Sequence, residues 1–348
     1  MSARTAPALI VEPTADNIRR AADLLRAGEL VGLPTETVYG LAADALDPVA
    51  VRKIFAAKGR PADHPLIVHL PDADHLPRWA ASIPKEAVAL ARAYWPGPLT
   101  LILKRESGVP DEVTGGQDTV GVRVPAHPVA LALLRVFDSG LAAPSANRFG
   151  RISPTTAAHV ADELAGRLAM VLDGGPCEVG IESTILDLSR LAEHGPEILR
   201  PGAISPEDIA AVIGRRPHVR GEASAIDDAV VPRVSGALAA HYAPRTPLCL
   251  IDGVRLVEEA SVLAGEGSRV AVLARTVADP HDARLIWRSA PATAAPYAHE
   301  LYATLRELDA LGADFIVVEE LPRTLEWRAI GDRLGRAAVG SGGESDET

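Results

Sequence analysis

The chain has 348 residues, of which 47% are hydrophobic and 23% are charged, and its formal net charge at pH 7 is −11. This length predicts two domains, and the negative charge argues against a surface built mainly to bind nucleic acid. No apolar run approaches the ~20 residues of a membrane span and the N-terminus lacks the apolar core of a secretory signal, so we expect a cytoplasmic protein without membrane contact.

Helical and extended patterns alternate through the first two hundred residues. Helical spacing of apolar side chains predicts helices over 16–28, 47–59, 84–94, 127–137 and 153–164, the last with Pro154 in its first turn. Strands are predicted over 29–35, 65–70, 98–104, 119–125, 140–145, 169–175 and 183–188. Several of these strands follow each other without a helix long enough for a parallel crossover. We therefore predict an α/β domain with a twisted mixed sheet.

The regular pattern lapses after residue 214 and resumes at residue 248. Residues 215–247 are rich in Pro, Gly, Ser and charge, which is typical of a linker. The predicted organisation is a main domain over 10–214, a linker or lid over 215–247, a smaller Rossmann-like α/β domain over 248–340, and a disordered tail over 341–348.

Polar side chains stand at the ends of several predicted strands, where α/β sheets usually bind ligands. The segment LPTETVYG, residues 33–40, presents Thr35, Glu36, Thr37 and Tyr39 directly after a strand. An ordinary turn capped by a threonine is an equally good interpretation of this segment taken alone.

The segment KGRPADHPLIVHL, residues 58–70, places two cations in a tight loop. Lys58 and Arg60 flank a glycine and precede a proline, so the loop presents both charges together and predicts an anion site. His64 lies between two prolines near this loop, and His69 ends the buried strand. A purely structural role is the alternative for either histidine alone.

Other candidate residues follow along the chain. Arg123 lies between valines in a predicted strand, where a charge must find a partner or line a cavity. The segment APSANRFGRISPTT, residues 143–156, offers hydroxyl and amide groups before a predicted helix, a setting that suits a phosphate. Ser183 begins a strand after a glycine-rich loop, and Arg200 ends one.

The sequence contains no known nucleotide fingerprint and no evident covalent nucleophile. A Walker A sequence and a GxGxxG pattern are absent, so separate basic and hydroxyl residues would have to bind phosphate. Ser145 lacks the glycines of a nucleophile elbow, and Cys177 has no base beside it in sequence. We predict that Cys177 and Cys249 are reduced, structural thiols.

Seven segments occur in an order that resembles the threonylcarbamoyl-AMP synthase family, whose catalytic domain is called YrdC-like. They are PTETVYGLAADA, KGRPADHPLIVH, WPGPLTLIL, VGVRVP, APSANRFGRISPT, GGPCEVGIESTILDL and ILRPG. HYAP in the linker and the small C-terminal domain resemble the long form of that family. Two departures are His64, where the family pattern has Asn, and SGALAAHYAP, which lacks the Pro-Gly-Met of the linker motif.

The resemblance implies condensation of L-threonine, bicarbonate and ATP, with Mg²⁺, to threonylcarbamoyl-AMP and pyrophosphate. The product would pass to a tRNA threonylcarbamoyl transferase complex that modifies position 37 of tRNAs reading codons beginning with A. Implied as catalytic are Lys58 and Arg60, and no protein side chain is expected to bind a metal. Implied for ATP are Lys58, Arg60, His64, Thr119, Ser145, Asn147, Ser153, Arg200 and Tyr242, the last also as a lid. Implied for threonine are Thr35, Thr37, His69, Arg123, Ala143 and Ser183.

Two other functions fit the same domain type. A module that binds double-stranded RNA or tRNA without synthase activity would use a concave basic face, although the net charge and the lack of a basic aromatic stripe weigh against it. Carbamoyl-transfer maturation proteins carry a similar domain, but they are expected to have acylphosphatase-like and zinc-finger segments that this chain lacks.

Overall fold

The computed structural model describes residues 9–222 and 231–342. The chain divides into two units, each with its own sheet and core. Among the described residues, the first unit holds 9–149, 154–222 and 231–237, and the second holds 150–153 and 238–342.

The first unit is built from short strands and helices. Its strands are β1 (Leu9–Val11), β2 (Val31–Leu33), β3 (Gly40–Asp44), β4 (Ile67–His69), β5 (Leu99–Lys104), β6 (Thr119–Arg123), β7 (Leu141–Ala142), β8 (Met170–Leu172), β9 (Thr184–Asp187), β10 (Glu197–Arg200) and β11 (His218–Val219). Its helices are α1 (Ala15–Arg26), α2 (Pro48–Lys58), α3 (Lys85–Tyr94), α4 (Asp111–Thr114), α5 (Pro128–Phe137), α6 (Ala157–Glu163), α7 (Leu191–His194) and α8 (Pro206–Ile213), with a 3₁₀ helix over Ala73–Arg78.

The strands form one mixed sheet, which confirms the predicted fold class. Within the described residues the order is β1-β8-β2-β3-β7-β4-β6-β5-β9-β10-β11. β4 runs parallel to β6 and pairs His69 with Arg123, while β5 is antiparallel to β6 and parallel to β9. This register brings His69 and Arg123 side by side, although 53 positions separate them in the sequence.

Apolar side chains cover the sheet on both faces. One cluster packs α1 and α5 against β2, β7 and β8, and includes Leu25, Leu33 and Leu134. A second cluster includes Ile54 of α2, Leu90 of α3 and Trp79. The polar residues described below lie where the strands end or where the apolar cover is interrupted by a loop.

Two details differ from the sequence-based expectation. The helix predicted over 153–164 begins only at Ala157, because the side chain of Thr156 accepts a hydrogen bond from the backbone N–H of His159 and caps it there. Pro154 therefore precedes the helix and does not lie in its first turn. Inside the predicted linker, residues 218–219 form β11 beside β10, and residues 223–230 lie outside the described residues.

The second unit is a small doubly wound domain, as predicted. Its strands are β12 (Leu248–Ile251), β13 (Val270–Ala274), β14 (Leu285–Ser289) and β15 (Phe315–Glu319), and its helices are α9 (Leu256–Gly265), α10 (Ala294–Ala310) and α11 (Arg328–Ser341), with a 3₁₀ helix over Leu325–Trp327. All described pairs are parallel, in the order β12-β15-β13-β14. Since α11 extends to Ser341, only residues 343–348 of the predicted tail lie outside the description. No helix in 9–222 or 231–342 is long and apolar enough to cross a bilayer.

Candidate active site

Lys58 is a buried cation at the end of α2. Its ammonium group donates hydrogen bonds to the backbone carbonyl oxygens of Ser145 and Asn147, and its own carbonyl accepts one from the N–H of Phe149 at 2.8 Å. Burial, and next the charge of Arg60, lower its pKa well below the ordinary value. These hydrogen bonds hold the segment after β7, residues 145–149, against Lys58 of the predicted anion loop. Both segments therefore contribute polar groups to the same site.

Gly59 explains why Lys58 and Arg60 face one site. It has a φ of 63° and ends α2 in the left-handed conformation, which other residues rarely adopt. The helix stops at Lys58, and Arg60 turns back towards the sheet, where its guanidinium donates to the carbonyl oxygen of Pro65 at 3.0 Å.

Ser235 of the linker lies between two arginines that were predicted to bind ATP. Its hydroxyl is 3.4 Å from Nη1 of Arg60, and its carbonyl oxygen accepts from Nη1 of Arg200 at 2.9 Å. Nearby Val234 packs in an apolar cluster with Ile102 of β5 and Leu199 of β10. The segment 231–237 therefore covers this part of the sheet and contacts both predicted phosphate ligands.

Arg123 is held in a buried polar cluster at the end of β6. It forms an ion pair with Glu36 and donates to the hydroxyl of Thr37 and the carbonyl oxygen of Gly97, each at 3.0 Å. The hydroxyl of Thr35 is 2.9 Å from that of Thr37. The partner that a charge within a strand requires is thus Glu36, and the cluster contains three of the residues predicted to bind threonine.

His69 completes this cluster as an uncharged group. Burial, and next the neighbouring charge of Arg123, lower its pKa to about 3, so the imidazole is neutral at physiological pH. Its Nδ1 atom is buried and has no hydrogen-bond partner among the described residues.

Ser183 lies between Thr100, on the sheet face of Arg123, and Arg200 beneath the linker. Its hydroxyl is 2.8 Å from that of Thr100 and accepts from Nη2 of Arg200 at 3.1 Å. Gly121 lies two residues before Arg123 in β6, so a Cβ on Gly121 would point to the same sheet face as the side chain of Arg123. That Cβ position is 3.6 Å from the side chain of Thr100, and Thr100 therefore lies on this face as well. Ala143, also predicted for threonine, is buried, and its N–H donates to the carbonyl oxygen of Ile67 at 3.1 Å.

Two residues predicted for ATP lie further out. His64 is half-buried beside Phe149, with ring centroids 5.5 Å apart, and burial and next Arg60 lower its pKa. Thr119 starts β6, about 13 Å along the strand from Arg123. It lines a cavity of about 420 Å³ together with Gln117, Ser189 and Arg190.

Ser153 and Tyr242 belong to the second unit and are described within it. Tyr242 adopts a φ of 61° and is buried, with its ring stacked on that of Tyr302 at 5.7 Å and the guanidinium of Arg333 5.4 Å from its ring. Ser153 is also buried.

Of the residues predicted from the sequence, the first unit brings together Thr35, Thr37, Lys58, Arg60, His69, Arg123, Ser145, Asn147, Ser183 and Arg200.

Comparison with known proteins decides the family. Residues 23–202 match a family model described as telomere recombination, and residues 204–339 match one described as threonylcarbamoyl-AMP synthase, C-terminal domain. A threonylcarbamoyl-AMP synthase from Pyrococcus abyssi is 41% identical over 328 residues, which cover 92% of this chain and 94% of that protein. The chain belongs to the threonylcarbamoyl-AMP synthase family.

Two further relatives of this family support the assignment. A threonylcarbamoyl-AMP synthase from Bacillus subtilis is 42% identical, with 93% of each chain covered. A crystal structure of Pyrococcus abyssi Sua5 complexed with L-threonine has a TM-score of 0.85 at 38% identity and covers 96% of this chain and 97% of that one. The similarity thus extends over both units.

The sequence assigned no role to two residues of this site. Glu36 stands out there only as one of the polar side chains of PTETVYG, and the need of buried Arg123 for a partner was a usable signal for its role. Ser235 lies in a segment whose composition indicates only a linker, and no local pattern marks its contacts with arginines. Within residues 9–222 and 231–342, no group of three or more His, Cys, Asp or Glu side chains could hold a metal ion.

Proposed function

We propose that this chain condenses L-threonine, bicarbonate and Mg-ATP to threonylcarbamoyl-AMP and pyrophosphate. The observation that carries the proposal is the contact of Ser183 with both Thr100 and Arg200. It places Ser183 between the sheet face of Arg123, which suits a small amino acid, and Arg200, which suits phosphates. The family relationship indicates which reaction needs both. The product would supply a separate transferase complex that modifies position 37 of tRNAs reading codons beginning with A.

The amino acid would lie in the cluster around Arg123. A guanidinium has five N–H groups, and Glu36, Thr37 and Gly97 use three of those of Arg123. The remaining donors would hold the threonine carboxylate, and the hydroxyls of Thr35, Thr37 and Ser183 would complement its polar groups. Neutral His69 would offer a hydrogen bond without adding charge.

The phosphates would lie between Lys58, Arg60 and Arg200. In the chemical step the carbamate oxygen of carboxylated threonine attacks the α-phosphorus, and pyrophosphate leaves with Mg²⁺. Such a transfer depends on positioning and neutralisation of charge more than on covalent catalysis. The buried side chains of Lys58, Arg60 and Arg200 would meet that need, while Ser145 and Asn147 would hold the nucleotide nearby.

The linker would enclose the reaction. A carbamate decomposes in water, so it must be consumed where solvent is excluded. Residues 231–237 already cover the sheet next to Arg60 and Arg200. ATP phosphates would displace Ser235 from these arginines, and the linker would then close over the filled site. Contacts of His64, Thr119, Ser153 and Tyr242 with ATP, and the lid function of Tyr242, are further parts of this proposal.

The test is pyrophosphate release by the purified chain with Mg-ATP, with L-threonine and bicarbonate omitted in turn and the adenylate detected by mass spectrometry. We expect release only when both are present, and loss of activity when the metal is chelated. Release without threonine would overturn the proposal, and binding of tRNA without any threonine-dependent release would favour the RNA-binding alternative.

A further inference from the structure

Glu36 has a buried carboxylate, of which one oxygen accepts a hydrogen bond and the other does not. Oε1 forms the ion pair with Arg123, whereas Oε2 is buried and has no hydrogen-bond partner among the described residues. The side chain is 5% exposed. A carboxylate oxygen shielded from water and left unpaired is costly, so its position calls for a ligand that donates to it.

The structure around Glu36 keeps it in place. The hydroxyl of Thr35 accepts from the backbone N–H groups of Thr37 and Val38, each at 3.2 Å, and this fixes the turn that contains Glu36. The backbone carbonyl oxygen of Glu36 accepts a hydrogen bond from the N–H of Val179 at 2.7 Å. The backbone of Glu36 is therefore held on both sides, and Arg123 orients its carboxylate through Oε1.

Four titratable groups interact with this carboxylate or with its partner Arg123. Arg123 of β6 carries the positive charge, and neutral His69 of β4 stands beside it. Burial, and next the charge of Glu36, raise the pKa of the Cys177 thiol to about 12, so it is uncharged at neutral pH. Burial lowers the pKa of His127 at the start of α5. Glu36 is the anion paired with Arg123 in this set, and Glu178 acts on His127 from the segment next to Val179.

This arrangement is complementary to an amino-acid zwitterion. In an amino acid whose carboxylate is bound by the two remaining N–H groups of Arg123, the α-ammonium group is attached one carbon away. The anion next to Arg123 that can bind this ammonium group is Glu36. The two charges of the protein and the two of the ligand then alternate in sign. Alternation of this kind favours a zwitterion over a simple anion such as a hydroxy acid.

We propose that Oε2 of Glu36 binds the α-ammonium of threonine and takes one of its protons as the amine becomes carboxylated. This inference rests on the proposed function and assigns a catalytic residue to its first step. The nitrogen lone pair forms a bond to the carbon of bicarbonate and one water is expelled. The ammonium and bicarbonate together become carbamate, water and one proton, which Glu36 accepts.

Glu36 is better suited to this task than its neighbours. Protonation of His69 would place a second positive charge beside Arg123, and the Cys177 thiol is already protonated. Transfer from ammonium to carboxylate replaces two buried charges with two neutral groups, which a site without solvent favours. The neutral carboxyl group can still accept a hydrogen bond from Arg123 through Oε1.

The test compares Glu36→Gln with wild type in three measurements. At pH 7 we expect kcat/KM for threonine to fall about a hundredfold or more, and to recover about tenfold per pH unit between pH 7 and 9 as solution base deprotonates the amine. By calorimetry, wild type should bind L-threonine about ten- to a hundredfold more tightly than 2,3-dihydroxybutanoate, which lacks the ammonium. The variant should lose that preference and bind Mg-ATP as wild type does.

Two further variants separate a chemical role from a structural one. Glu197→Gln removes a buried glutamate that pairs with Arg190 at 2.9 Å in the same unit, and it should keep both the threonine preference and the pH profile. Glu36→Asp retains the charge, should fold if Gln does not, and should weaken threonine binding because its shorter arm cannot reach both partners. Wild-type preference and pH profile in Glu36→Gln, or unaltered threonine affinity in Glu36→Asp, would overturn the inference. Absence of threonine-dependent turnover in wild type would instead overturn the proposed function.

Discussion

Single side chains in the polar cluster make the stability of the first unit depend on pH. The pKa of His69 is lowered from 6.5 to about 3 in the folded chain by burial and next by Arg123. Between these values the unfolded chain binds more protons than the folded chain, so the free energy of unfolding falls as pH falls. This one group should cost about 2 kcal/mol between pH 7 and pH 5.

Urea unfolding at pH 7 and pH 5 measures that dependence. His69→Gln should be less stable than wild type at pH 7 but should lose about 2 kcal/mol less on going to pH 5. Exposed His218 on β11 supplies the control, and His218→Gln should follow wild type at both pH values. Equal losses in wild type and His69→Gln would contradict the neutral, buried state of His69.

Lys58 should matter to turnover far more than another lysine of the same helix. Its ammonium lies buried between two carbonyl oxygens of the segment after β7, so Lys58→Met removes a positioned charge from the phosphate cluster. We expect kcat for pyrophosphate release to fall by about a hundredfold or more. Lys53→Met on the exposed face of α2, where Lys53 pairs with Glu29, should leave kcat within about twofold. A mild effect of Lys58→Met would remove Lys58 from the machinery.

Residue types alone identified many residues of the candidate active site, but not which side chains contact each other there. Lys58, Arg60 and Arg123 are conspicuous because a charged side chain in or next to a buried strand needs an ionic partner or a polar cavity. The contacts of Glu36 and Ser235 depend on loops that approach each other from distant parts of the chain, and no spacing in the sequence encodes that approach.

Among the elements, the end of α2 tests whether backbone conformation positions the cations. Gly59 has a φ of 63°, and a Cβ there would meet no atom within 4 Å. Gly59→Ala should therefore cost about 1 kcal/mol through conformational strain alone, and Gly59→Asn should cost less because Asn tolerates this region. Urea unfolding of both variants decides, and equal stability of Gly59→Ala and wild type would contradict the assigned conformation.

The covering segment 231–237 should respond to nucleotide. Ser235 contacts Arg60 and Arg200, and phosphates compete for the same guanidinium groups. Hydrogen exchange of amides in 231–237 should therefore become faster with Mg-ATP and stay unchanged with AMP, which lacks the β- and γ-phosphates. Unchanged or slower exchange with Mg-ATP would show that the arginines bind nucleotide without releasing the linker.

The longer helices and strands could be predicted because their periodicity extends over enough residues. α1, α2, α3 and α5 and strands β5 and β6 lie where the pattern places them. β3 follows a polar loop and β11 has two residues, so neither shows a period. The start of α6 was missed because capping by Thr156 outweighs the preference of Pro154 for a first turn.

At the level of the entire chain, the alternation of patterns indicated two α/β units, and the order of strands could not be read from it. β9 lies beside β5, although β6, β7 and β8 intervene in sequence. That pairing places Ser183 next to Thr100, the contact on which the proposed function rests. Such long-range pairing follows from the fit of complete surfaces and not from any local segment.

In the second unit, the place where doubly wound sheets often bind phosphate holds one of its own carboxylates. Glu319 ends β15 and accepts hydrogen bonds from the backbone N–H groups of Arg275 and Thr276 at 2.6 and 2.8 Å. These N–H groups follow β13, the neighbouring strand, where an anion would otherwise lie. The backbone N–H groups of Arg275 and Thr276 are already engaged, so we place the phosphates of ATP in the first unit, between Lys58, Arg60 and Arg200.

The central claim is that one chain joins threonine, bicarbonate and the adenylyl group of ATP. The most direct measurement is the mass of the adenylate formed from Mg-ATP with ¹⁵N-labelled L-threonine and ¹³C-labelled bicarbonate. Our account predicts a threonylcarbamoyl-AMP that is two mass units heavier than the unlabelled product, formed with one pyrophosphate. A product carrying only one label, or pyrophosphate release without a labelled adenylate, would contradict it.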